Sequence, residues 1–135
     1  MTEDEDILRK LQPLLARHPH VSVELTDTGF RTLLANRNPN LLGNFAGGDM
    51  AYAANAAAGF ACIVAGTIAE TASINIECLA RGDGEFLVAD AQIIRHGSRL
   101  IRTRVDVHVR KGEREKLVAI AQINMAPLAD QSLLD

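Results

Sequence analysis

Residues 48–65, GDMAYAANAAAGFACIVA, form a stretch nearly free of charge, whose ionisable side chains are Asp49, Tyr52 and Cys62. Alanine stands at positions 51, 53, 54, 56, 57, 58, 61 and 65. Alanine costs least in a helix, so the stretch predicts one. It carries no polar face, so the helix is expected to be buried all round. About 17 residues make roughly 25 Å of helix. A buried rod of that length needs other elements to wrap it. Small residues at 56, 57, 58 and 59 permit close backbone approach on one side.

Downstream the pattern changes to period two. Ala72, Ile74, Ile76 and Cys78 alternate with Ser73, Asn75 and Glu77. After the turn at 81–84, Phe86 to Ile94 reads as a mostly apolar strand with Asp90 and Gln92 on one face. Residues 95–99, RHGSR, read as a hairpin turn. Ile101, Thr103, Val105, Val107 and Val109 then alternate with polar residues, the signature of a half-buried strand. A turn at 111–113 leads to a last strand from Leu117 to Met125. Upstream, Val21, Val23 and Leu25 alternate as a short strand, and Phe30 to Leu34 follow a turn at 27–29. A polar loop with Pro39 and Asn40 leads to the helix. Residues 1–20 read as an N-terminal helical extension. Thr2 caps it, acidic residues fill its first turn, and Ile7, Leu8, Leu11, Leu14 and Leu15 recur at helical spacing. Pro13 weakens that reading, and His18-Pro19-His20 reads as a polar exit, since no third metal ligand lies nearby. These lengths fit one α+β domain spanning residues 1–135, an antiparallel sheet curled around a long central helix.

Composition excludes several classes. Of 135 residues, 47% are apolar and 23% charged, which argues against disorder. A net charge of −3 argues against a chain-wide nucleic-acid surface. No run of about 18 apolar residues exists, so no membrane span is expected. The acidic start is the opposite of a signal peptide's basic one. Two cysteines, Cys62 and Cys78, make neither a disulfide framework nor a zinc cluster, so a reducing, cytoplasmic setting is expected. With no Trp, one Tyr and four Phe, the core is built from small aliphatics, and such a chain gains burial by oligomerising.

The chemistry gathers before the helix. Gly47 and Gly48 open it, and free backbone N–H groups at a positive helix end suit a carbonyl oxygen that develops negative charge. Asn40-x-Leu42-Gly43-x-x-x-Gly47-Gly48, then Asn55 and Ala57 in the helix, then a strand carrying Ser73, resembles the hotdog-fold acyl-CoA thioesterases, closest to the phenylacetic-acid-degradation type. The resemblance covers roughly Val21 to Pro127. It implies a hotdog fold and a dimer or dimer of dimers with the active site between subunits. It implies an acyl-CoA substrate cleaved to free coenzyme A and a carboxylic acid, with no other cofactor. It also implies roles: the N–H of Gly48 polarises the thioester carbonyl, Asn40 holds water or carbonyl, and Ser73 orients water from the partner subunit's strand. The turn containing Arg95, His96, Gly97, Ser98 and Arg99 falls where family members bind the coenzyme A phosphates, with Arg81 contributing from the preceding turn.

Two positions depart from the family pattern. Ala46 stands where the family has His before the two glycines, and Asn55 stands where it has a carboxylate. An amide orients water but takes no proton from it. Asp49 lies six residues upstream, about 600° round the helix, and faces elsewhere. Glu70 and Glu77 are the strand carboxylates left to test. Asn55 has two readings, a structural amide bonding a neighbour or an amide that binds substrate or water. The expected function is thioester hydrolysis; the alternative is a binding protein that holds acyl-CoA without cleaving it. A dehydratase needs a His near the helix, and none lies in that part of the sequence.

Overall fold

The computed structural model describes residues 1–36 and 44–132. Helix α1 runs Glu3–Leu15. Thr2 caps it reciprocally: its hydroxyl accepts from Glu5 N at 3.1 Å, and the Glu5 carboxylate accepts from Thr2 N at 3.2 Å. Pro13 sits within the last turn without ending the helix. Ile7 and Leu11 pack into the core, and Leu14 and Leu15 lie against it.

Strands β1 (Val21–Thr26) and β2 (Gly29–Ala35) form a hairpin, and helix α2 runs Gly47–Val64. Strands β3 (Ala69–Cys78), β4 (Phe86–His96), β5 (Ile101–Lys111) and β6 (Arg114–Pro127) complete one antiparallel sheet in the order β1-β2-β4-β5-β6-β3. β4 continues through Arg95 and His96, so the turn after it is shorter than the 95–99 expectation. β5 alternates as expected: Ile101, Thr103, Val105, Val107 and Val109 are buried, and their neighbours are more exposed. Its inner face meets α2 together with Leu87 and Ala89 of β4 and Ala119, Ala121 and Ile123 of β6.

The expectation that α2 is buried all round is corrected. Met50, Ala53, Ala54, Ala57, Ala58, Phe60 and Cys62 are buried. Tyr52 is 45% exposed, and Asn55, Ala56, Gly59 and Ile63 are only partly covered. The sheet of a single chain wraps one side of the rod, and residues 52, 55, 56, 59 and 63 form a stripe at helical spacing along the other.

Among the described residues β3 is an edge strand paired with β6 alone, and Ile74 is 42% exposed. Arg110 of the interior strand β5 ties β1 to β6. Its guanidinium donates to both Glu24 carboxylate oxygens at 3.0 Å and to Glu115 at 2.7 and 2.9 Å. Arg31 pairs with the same Glu115. The Arg110 hydrogen bond holds the Glu24 carboxyl below the usual range, and the Arg31 bond does the same for Glu115.

Candidate functional site

The mouth of α2 is held by the turn after β3. Phe45 N donates to Gly82 O at 2.8 Å. A Cβ on Gly82 would come within 2.8 Å of Phe45 Cβ, so this close approach requires glycine. With its amide oxygen turned to the guanidinium, Asn44 accepts from Arg81 Nη2 at 2.8 Å and Nε at 3.0 Å. Arg81 is thereby engaged in anchoring the approach to the helix. The Asp49 carboxylate accepts from Ala46 N at 2.8 Å. That completes the helix end and explains the acid in the first turn.

Among the described residues, nothing accepts from the N–H of Gly48. A Cβ there would meet nothing within 4 Å. Gly48 opens on a cavity of about 250 Å³ whose walls include Leu34, Phe45, Asp49 and Tyr52. An amide at a helix N-terminus that has no acceptor among the described residues is a donor for a carbonyl oxygen or an anion.

Tyr52 is also a wall of a second groove, of about 230 Å³, which follows the open stripe of α2. Leu14, Ala56, Gly59, Phe60 and Ile63 make its apolar lining, and His18 and Asn55 stand along it. Asn55 Oδ1 accepts from Thr71 Oγ1 at 2.6 Å. With its carbonyl engaged, Asn55 has its two N–H donors to offer, which suit a water or carbonyl oxygen. Tyr52 Oη lies 2.8 Å from His18 Nδ1, and the rings meet edge to face.

The sequence-predicted residues fall as follows. Asn40 lies outside the described residues. Gly48 and Asn55 lie seven residues apart on α2, two turns along one face. Ser73 sits on β3, and its hydroxyl accepts from Asn124 Nδ2 at 3.0 Å. Within the chain it is Thr71, two residues earlier, that reaches Asn55. Period-two reading puts Thr71 and Ser73 on one face, but a register shift between them breaks that alternation. Glu70 and Glu77 are exposed on β3 and line neither cavity.

Arg95, His96, Ser98 and Arg99 are exposed at the opposite end of the rod from Gly48. His96 Nε2 lies 3.3 Å from Thr67 Oγ1, just past the C-terminus of α2, and 18 helical residues span about 27 Å. A single chain therefore does not bring that turn to the mouth of α2, whereas Arg81 does stand there. Gly97 has a structural reason to be glycine, since a Cβ would sit 2.7 Å from Leu100 O.

Sequence spacing alone missed the His18–Tyr52 pair. No His lies in the helix segment, yet His18 of the chain leaving α1 stands beside α2. Among the described residues, no three His, Cys, Asp or Glu side chains gather as a metal site. Burial pushes the Cys62 thiol up to about 11, so it stays protonated and inert at neutral pH. No helix among the described residues is long and apolar enough to cross a membrane.

No family model matches the chain, and no curated protein matches it. Solved structures do. A thioesterase family protein from Silicibacter pomeroyi superposes with a TM-score of 0.79 at 15% identity, covering 90% of this chain and 98% of that one. The PaaI protein of the phenylacetic acid degradation operon of E. coli gives 0.77 at 15% identity, covering 95% and 97%. The BH2602 protein of Bacillus halodurans, solved with CoA, gives 0.72 at 22% identity, covering 96% and 97%. This likeness establishes the fold: the chain is a hotdog, with a six-stranded antiparallel sheet curved about the central helix.

Proposed function

We propose that this chain is an acyl-CoA thioesterase-like hydrolase, working as a homo-oligomer with its site between two copies. The observation that carries the reading is Gly48, whose N–H has no acceptor among the described residues, lining a cavity at the mouth of α2. A thioester carbonyl oxygen seated there gains a hydrogen bond that strengthens as negative charge develops on it during attack. Asn55 and Asn40 hold the carbonyl or the attacking water, and Thr71 fixes the Asn55 amide. The apolar groove along α2 receives the acyl group. Similar structures from Bacillus halodurans and Streptococcus pneumoniae were solved with CoA, which supports a CoA thioester as the substrate class.

The second copy answers two open features. β3 is an edge strand with Ile74 exposed, and α2 has an uncovered stripe. Two copies paired antiparallel along β3 run their α2 helices in opposite directions. The turn carrying Arg95 to Arg99 in one copy then approaches the α2 mouth of the other, where guanidinium groups meet phosphate. Ser73, on that same edge, comes to the shared crevice. Two free thiols, Cys62 and Cys78, fit a cytoplasmic setting.

Asn55 in place of an acid favours a second reading, a protein that binds acyl-CoA without turnover. Thiol release from a panel of acyl-CoAs, measured beside equilibrium binding of the same compounds, separates the two. Turnover abolished by Asn40→Ala supports the hydrolase. Tight binding with no thiol release supports the binding protein.

A further inference from the structure

Hydrolysis of a thioester by water needs a group that accepts a proton. Asp49 lines the cavity at Gly48, but its carboxylate is engaged by Ala46 N, and among the described residues no carboxylate lines the groove beside Asn55. A histidine does. His18 comes from the segment that leaves α1, and its Nδ1 lies 2.8 Å from Tyr52 Oη. Tyr52 stands four residues after Gly48, on the same face of α2, and is a wall of both the cavity at Gly48 and the groove at Asn55. Helical side chains lean toward the N-terminus, so the Tyr52 ring extends back over the turn that begins at Gly48. The pair is thus set between the candidate carbonyl donor and the amide that holds water.

We propose that His18, positioned by Tyr52, is the general base for the attacking water. This rests on the reading that the chain hydrolyses thioesters. With Nδ1–H donating to the Tyr52 oxygen, Nε2 keeps its lone pair. The water oxygen bonds to the thioester carbon while its proton moves to Nε2, and the carbonyl π electrons move onto the oxygen held by Gly48 N–H. When the tetrahedral intermediate collapses, the C–S bond breaks and its electron pair leaves with sulfur. The imidazolium returns its proton to the thiolate, giving a carboxylic acid, a free thiol and the original His18.

The test measures kcat and KM for thiol release from the best acyl-CoA of the panel. His18→Gln keeps a hydrogen-bonding side chain beside Tyr52 but no basic nitrogen. It is expected to lower kcat by about 10²-fold or more with little change in KM. His18→Ala is expected to lose as much and to regain activity when imidazole is added, a recovery that a purely structural histidine would not show. Tyr52→Phe is expected to lower kcat less than either. Wild-type kcat in His18→Gln overturns the inference and leaves the hydrolase reading standing. Loss in His18→Ala with no recovery in imidazole also overturns it. No turnover by the unaltered protein on any acyl-CoA overturns both. Thermal melts of each variant separate lost chemistry from lost fold.

Discussion

Asn55→Asp restores a carboxylate at the position where the resemblance expects one. The Asn55 oxygen already accepts from Thr71 at 2.6 Å, and a carboxylate keeps that bond. The substitution turns the donating NH₂ into an oxygen with lone pairs and charge, able to take a proton. Asn55 is only partly covered, so the new charge keeps some hydration and gains a hydrogen bond. The fold is therefore expected to survive, with a stability change within about 1 kcal/mol. A positioned base contributes ~10²–10⁴-fold, which is about 2.7–5.4 kcal/mol of barrier at 1.36 kcal/mol per decade. With His18 present, part of that gain is already realised, so the rate rises by less than the full factor. In a His18→Ala background the gain is expected in full. Because both groups take the same proton, the two substitutions are strongly non-additive. The assay is steady-state thiol release for the four members of the cycle, with melting curves for each. If the double variant folds as stably as the single ones yet is no faster than His18→Ala, Asn55 does not face the reacting carbon. Its assignment to the family's acid position then falls.

Glu115→Gln removes an acceptor shared by Arg31 and Arg110, and is expected to cost about 1 kcal/mol, read by thermal or urea unfolding. Glu24 and Glu115 have carboxyl pKa values lowered from 4.5, so their stabilisation is present above about pH 4.5 and is lost as pH falls through the folded-state values. The gap between wild type and Glu115→Gln should therefore close in acid; an unchanged gap at low pH would refute the clamp. Thiol titration near pH 8 should leave Cys62 unreactive until the protein is denatured, because it is fully buried with its pKa pushed up to about 11; a native-state reaction at Cys62 would refute that burial. Ile74→Lys places a charge on the exposed edge strand. In sedimentation or light scattering it should shift the protein toward monomer and reduce turnover with it, whereas an unchanged mass would exclude β3 as the contact.

Much of the architecture was readable from local pattern. The alanine run of α2, the ten-residue alternation of β5 and the Thr2 cap are set by interactions a few residues long. Periodicity reports which face of an element is apolar. It does not report whether the same chain covers that face, and so it overstated the burial of α2. The order of glycines and amides placed Gly48 and Asn55 on one face because a helix converts spacing into direction.

The rest required the third dimension. Thr71 meets Asn55 across 16 residues, a contact that the family pattern, which pointed to Ser73 of a partner strand, did not contain. His18 meets Tyr52 across 34 residues because α1 packs against α2, a contact set by the hydrophobic burial of Ile7 and Leu11 and not by any spacing in the chain. The Arg95 and Arg99 turn lies a helix length from Gly48 for the same reason: where an element ends is local, but what stands beside it is decided by packing.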